Sequence, residues 1–196
     1  MIKINILTMG AYQTNTYMIH EQNAKTCCVI DPGYQPDTIL DAAQDLGLTI
    51  EAILLTHGHH DHVGAVREIA AETGCKVYIH PNDLTLPPMF TAGPLYYTHT
   101  YDEGDTLHMA GLDISVLHTP GHTGGSVCLL CDNVMFAGDT LFAGSCGRTD
   151  LPGGDWPTIT RSLKRLASLE ANFHVFSGHG ESTTLANEKR YNPYMR

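Results

Sequence analysis

Short apolar runs alternate along the chain with stretches whose apolar residues recur every three or four positions, and these two periods separate strands from helices. The runs "KINILTM", "TYMIHE" and "TCCVIDPG" read as strands. "QPDTILDAAQDLGL" reads as a helix, opened by Pro36 and Asp37 and closed by Gly47. "EAILLT" follows as a buried strand, "HVGAVREIAAETG" as a helix ending at Gly74, and "KVYIH" as another strand. Residues 81–104 are turn-rich and aromatic and predict a long loop. Beyond it, "LDISVLHTPG", "SVCLLCD" and "VMFAGD" predict strands. A helix is expected over "DWPTITRSLKRLASLE", with Asp155 as its cap and Trp156, Ile159, Leu163, Leu166 and Leu169 on one apolar face. A strand "FHVFSG" and a short helix close the pattern, which is that of an α/β protein.

Five of the strand-like runs end abruptly in ionisable residues: Asp31, the cluster "THGHHDH", His122, Asp139 and His179. In α/β proteins the carboxyl ends of strands are where ligands bind, because the sheet fixes the roots of the loops that converge there. The spacing inside the cluster suits metal. His57 and His59 are two apart, so an extended backbone turns both to one side to grip one ion, whereas the adjacent Asp61 and His62 diverge toward a second. His122 can complete the first set, His179 the second, and Asp139 can bridge both through its two oxygens. Imidazole with carboxylate suits zinc, and also iron or manganese. A lone buried histidine is usually a satisfied core residue; it is the conjunction of these seven side chains that points to metal. His60 points away from its neighbours in an extended segment. His20, His80, His99, His108, His118 and His174 lack a comparable arrangement and read as structural or surface residues.

Composition narrows the function classes. A chain of 196 residues with 42% hydrophobic and 16% charged content is an ordinary globular protein, and one domain over residues 1–196 is expected. The formal charge of −10 excludes nonspecific binding to nucleic-acid phosphates and disfavours an anionic membrane surface. No apolar run approaches the ~20 residues of a membrane span, and the N-terminus lacks a basic start before a long apolar stretch, so a cytoplasmic protein is expected. The six cysteines follow no dense disulfide spacing and read as core thiols. Cys128 and Cys131 form a C-x-x-C, but inside a strand-like run and without a partner pair.

In order and over most of the chain, "THGHHDH", "TPGHTGGS", "FAGDTLF" and "SGHGESTT" resemble the motifs of the metallo-β-lactamase superfamily, whose fold is a four-layer αββα sandwich. "LFAGSCGRTDLPGGD" and "ANEKRYNPYMR" resemble short bacterial hydrolases related to glyoxalase II, the hydroxyacylglutathione hydrolase, without its C-terminal helical domain. The resemblance implies two divalent ions, zinc first with iron or manganese as alternatives. It places His57, His59 and His122 on one ion, Asp61, His62 and His179 on the other, and Asp139 between them. Metallo-β-lactamases themselves typically carry Cys at the Asp139 position, flavodiiron proteins carry Glu at that of His59, and nucleic-acid-processing relatives usually add a large domain or an RNA-binding arm.

The implied reaction is hydrolysis of a small-molecule thioester, glutathione-linked in the glyoxalase II case, by a metal-bridged hydroxide that Asp61 helps to orient. Arg148 is the candidate for an anionic substrate group, its alternative being a pair with Asp150 or Asp155 that shapes its own loop. Asp31 is expected behind a ligand imidazole, or else in turn chemistry before Pro32 and Gly33. Persulfide dioxygenases also resemble "GRTD", and imply a single iron on His57, His122 and Asp139. A lactonase-like or other ester hydrolase of the same fold is a further alternative. The oligomeric state stays open.

Overall fold

Adjacent residues of the central strands go to opposite sides, and that alternation builds the layers. Cys27 and Val29 face one apolar cluster while Cys28 and Ile30 face another, and Ile53 and Leu54 divide in the same way. A strand buried on both faces reads as a continuous apolar run, which is why these segments were conspicuous in the sequence.

The computed structural model describes residues 1–196. The first half holds β1 (Ile2–Met9), β2 (Thr14–Glu21), β3 (Thr26–Ile30), α1 (Pro36–Asp45), β4 (Thr49–Leu54), α2 (His60–Val63), α3 (Val66–Thr73), β5 (Lys76–Ile79) and β6 (His99–Thr100). Its six strands form one sheet in sequence order, antiparallel from β1 to β3 and parallel from β3 to β6. The second half holds β7 (Thr106–Met109), β8 (Leu112–His118), β9 (Val127–Cys131), β10 (Val134–Gly138), the small hairpin β11 (Leu141–Phe142) and β12 (Ser145–Cys146), α4 (Trp156–Ser168), β13 (His174–Ser177), β14 (Thr183–Thr184) and α5 (Leu185–Tyr191). Its main sheet runs β14-β13-β10-β9-β8-β7, with β10 and β13 parallel.

Three apolar clusters hold four layers together. Tyr17, Ile19, Cys28 and Leu54 of the first sheet meet Ile114, Val116, Leu129 and Phe136 of the second. Outside the first sheet, Val29, Ile53 and Val77 pack under Ile39 of α1 and Ile69 of α3. Outside the second, Cys128, Met135 and Val175 pack under Ile159, Leu163 and Leu166 of α4 and Leu185 of α5. The architecture is the αββα sandwich.

Several expectations change in detail. The helix expected from residue 62 to 74 is two helices, broken at Gly64, where a Cβ would lie 2.4 Å from the Gly33 carbonyl oxygen. The chain must pass that close because Ala65 donates its N–H to Pro32. The loop over 81–104 contains two 3-10 turns, Pro81–Thr85 and Pro88–Phe90, and the short β6. Trp156 does not join the buried face of α4; it is 50% exposed and edge-packed on Tyr194. All six cysteines are free, and Cys128 and Cys131 lie in different apolar layers, so they cannot share a ligand. No helix is long and apolar enough to cross a membrane.

Candidate metal centre

Five strand ends meet at one edge of the sandwich. Asp31 follows β3, residues 55–62 follow β4, His122 lies in the loop after β8, Asp139 is the residue after β10, and His179 is two after β13. The ring nitrogens of His57, His59 and His122 offer three ligand atoms within 4.8 Å of one another, and Asp61, His62 and His179 offer a second such set. Asp139 lies between the sets: one oxygen is 3.4 Å from His62 Nε2, the other 3.5 Å from both His122 Nε2 and His179 Nε2.

Hydrogen bonds behind the rings decide which nitrogen faces inward. His122 Nδ1 donates to the Arg148 carbonyl at 2.8 Å, His179 Nδ1 to the Tyr12 carbonyl at 3.0 Å, and His62 Nδ1 to Asp31 Oδ2 at 3.0 Å. Thr56 Oγ1 donates to the same Asp31 oxygen and accepts from His57 Nδ1 at 3.2 Å. Four imidazoles thus donate outward through Nδ1 and turn Nε2 inward, the orientation that metal-ligating histidines adopt. His59 is reversed, with Nδ1 only 2.9 Å from His122 Nε2. Asp31 itself has left-handed backbone (φ 51°), and besides His62 it takes the Thr56 N–H at 2.7 Å.

Whether these residues fit a metal is tested by what they leave unsatisfied. His57 Nε2 and Asp139 Oδ1 are buried in the centre with no hydrogen-bond partner, as is His59 Nε2 at the rear of its ring. Buried polar atoms are rarely left so. The surroundings are also built around these groups: a Cβ on Gly178 would fall 2.2 Å from Asp139 Oδ1 and 2.7 Å from His62 Cε1. Convergent lone pairs with a carboxylate between them fit divalent cations.

Electrostatics agree. Burial and the neighbouring imidazoles hold His57 well below the ordinary histidine range and His59 at about 3. Burial opposes protonation of His62 as well, but Asp139, Asp31 and Asp61 outweigh it and push it up to about 9. His179 is pushed against its burial to about 10 by Asp139 and Asp61. Burial raises Asp139, yet the His62 and His179 imidazoles hold it at about 2. Without metal, a proton shared between the facing Nε2 atoms of His62 and His179, 3.3 Å apart, stands where a cation would.

The centre forms the floor of a cavity of about 630 Å³, walled by Tyr12, Phe90, Phe142, Cys146, Arg148 and Leu151. Asp61 reaches it, with Oδ2 3.2 Å from His179 Nε2 and accepting from Thr14 Oγ1 at 3.3 Å. His60 stands at the wall, half-exposed and edge-on to Tyr12, apart from the two ligand sets. Arg148 also reaches the cavity, but its guanidinium is exposed and held by Asp150 through two 2.7 Å bonds. Its carbonyl on His122 had no sequence signal, because any residue there could supply it. His80, Asp102 and His118 also come together, yet the two rings stack at 4.1 Å and 11°, so their in-plane lone pairs do not converge on one ion.

Comparison with known proteins agrees with this architecture. The model of the metallo-β-lactamase superfamily matches residues 9–179, and the chain belongs to that family. It is 32% identical to the hydroxyacylglutathione hydrolase GloC of Haemophilus influenzae, over 99% of this chain and 98% of the relative. Among solved structures, the B3 metallo-β-lactamase BLEG-1 aligns over 100% of this chain and 99% of its own (TM-score 0.90, 33% identity). TTHA1623 in a di-iron-bound form aligns over 97% and 99% (0.86, 38%), and ETHE1 from Myxococcus xanthus over 97% and 83% (0.85, 30%). The protein is a metallo-hydrolase-superfamily member with His/Asp clusters suited to a dinuclear metal.

Proposed function

We propose that the chain hydrolyses hydroxyacylglutathione-type thioesters at a dinuclear centre formed by His57, His59 and His122, by Asp61, His62 and His179, and by Asp139 between them. The observation that carries this reading is the pair of inward-facing ligand sets sharing one carboxylate at the floor of an open cavity. The end-to-end likeness to a hydroxyacylglutathione hydrolase of the same extent supports the substrate class. Held by these side chains, two divalent ions, zinc first among the candidates, would supply a hydroxide at neutral pH and a Lewis acid for the thioester carbonyl. Asp61, at the cavity floor, orients the nucleophile. Tyr12, Phe90 and Phe142 cover the acyl chain and exclude water, while Arg148 at the rim attracts a carboxylate of the thiol carrier. A thiolate leaves without help, so no proton donor is required of the chain.

Metal analysis joined to an assay on lactoylglutathione tests the proposal; a metal-loaded protein inert toward that thioester would sink it. The likeness to ETHE1 favours persulfide oxidation by one iron on His57, His122 and Asp139 as the second reading. Oxygen uptake with glutathione persulfide distinguishes the two. Arg148→Ala should lower kcat/KM on lactoylglutathione roughly tenfold at unchanged metal content, and hardly alter turnover of an uncharged acyl thioester. Equal losses on both substrates would assign Arg148 to its loop, in keeping with its pair to Asp150.

A further inference from the structure

Asp83 lies in the turn Pro81–Thr85, outside both ligand sets, and none of its surface is exposed. Its Oδ2 accepts the Gly58 N–H at 2.8 Å and the Thr123 hydroxyl at 2.9 Å, and its Oδ1 accepts the Gly125 N–H at 2.6 Å. Gly58 stands between His57 and His59, and Thr123 directly follows His122. One carboxylate therefore ties the loop after β4, in the first sheet, to the loop after β8, in the second.

The contact is tight on both sides. A Cβ on Gly125 would fall 2.7 Å from the Asp83 carboxyl carbon, and one on Gly58 would touch Asp83 Cβ at 3.4 Å. The turn that carries Asp83 is itself fixed, since His80 Nδ1 caps the Asn82 N–H at 3.2 Å and His80 Nε2 donates to Asp102 at 3.0 Å. All three groups facing the carboxylate are donors, so an amide in its place would set an NH2 against an N–H or leave an acceptor missing. Burying a carboxylate is costly, and here the compensation consists of bonds to the two loops that carry His57, His59 and His122.

We propose that Asp83 is a positioning residue of the metal centre: by gripping both loops it sets His57 and His59 at the distance from His122 that a single ion needs. The inference rests on the reading of those three histidines as ligands of one ion. Its test needs no substrate. Cobalt(II) is titrated into the metal-free full chain against a chelator, and the visible absorption of the bound ion is recorded. Removal of a group that orients ligands typically weakens binding 10–100-fold, and Asp83→Asn should do so for the first ion bound, with a changed cobalt spectrum that a role in stability alone would not produce. Should that variant fail to fold, Thr123→Val removes one donor and leaves the carboxylate in place; it should weaken binding severalfold. A folded variant with the affinity and spectrum of the wild type overturns the inference while leaving the metal centre standing. A wild-type chain that takes up no cobalt overturns both.

Discussion

Asp139 stands between the two candidate ligand sets: its two oxygens approach His62, His122 and His179, and one of them lacks any hydrogen-bond partner. A carboxylate between two cations offsets their mutual repulsion. Asp139→Ala should therefore lose metal and activity together, as read by metal-to-chain ratio and turnover, and a variant with full activity would remove the bridging role. The protonation of His62 and His179 gives a second expectation at this scale. Asp139, Asp31 and Asp61 push His62 up to about 9, and Asp139 and Asp61 push His179 to about 10. The two Nε2 atoms face each other at 3.3 Å, so the metal-free pair holds a proton between them at pH 7, whereas a metal accepts only the neutral ring. Metal binding should then release protons at pH 7, release fewer as pH rises through 9 to 10, and weaken as pH falls. Calorimetric titration in buffers of different ionisation enthalpy measures that release, and binding heats independent of buffer would contradict it.

Among the elements, α4 shows how burial separates residues that a helical wheel groups together. Leu163 is fully buried against the second sheet, whereas Trp156 is half-exposed at the first turn. Leu163→Ala should cost about 2–5 kcal/mol in urea unfolding, and Trp156→Ala much less; comparable losses would mean that Trp156 supports more than its edge contact. The same distinction explains which elements were legible in the sequence. The doubly buried strands announced themselves as apolar runs, and the histidines and aspartates at their ends announced the site. The break at Gly64 was hidden because its cause is the distant Gly33 carbonyl. The hairpin β11–β12 was equally hidden: two-residue strands have no period, and this one is held from the C-terminal segment, where Glu188 accepts the Gly144 N–H at 2.8 Å and Asn192 donates to the Ser145 carbonyl at 2.9 Å. Asp83 read as an ordinary loop residue, since nothing local distinguishes a carboxylate that bonds residues 25 and 42 positions away.

For the molecule as a whole, the candidate ligands divide between the two sheets. His57, His59, Asp61 and His62 come from the end of β4 in the first, and His122, Asp139 and His179 from the second. The sheets are already tied at this edge: Asn15 Nδ2 donates to the Ser177 carbonyl at 3.1 Å and to the Gly180 carbonyl at 3.0 Å, and the Asn15 N–H reaches the Gly178 carbonyl at 2.8 Å. The metal-free chain should therefore fold, with its metal edge as the weak side of the sandwich. Ions that bind only the folded arrangement add stability by mass action, about 2.7 kcal/mol for one site at a free concentration one hundred times its Kd. In a domain of this size that corresponds to a rise in Tm of roughly 5–10 °C. Thermal unfolding across a series of buffered free-zinc concentrations should show Tm climbing with the logarithm of zinc once Kd is passed, and a chelator should return it to the metal-free value. In Asp139→Ala the climb should begin only at higher zinc, because the ligands from the two sheets no longer share a carboxylate. A Tm indifferent to zinc in the wild-type chain would mean that the two sets of side chains do not grip ions across the sheets, however well their lone pairs converge.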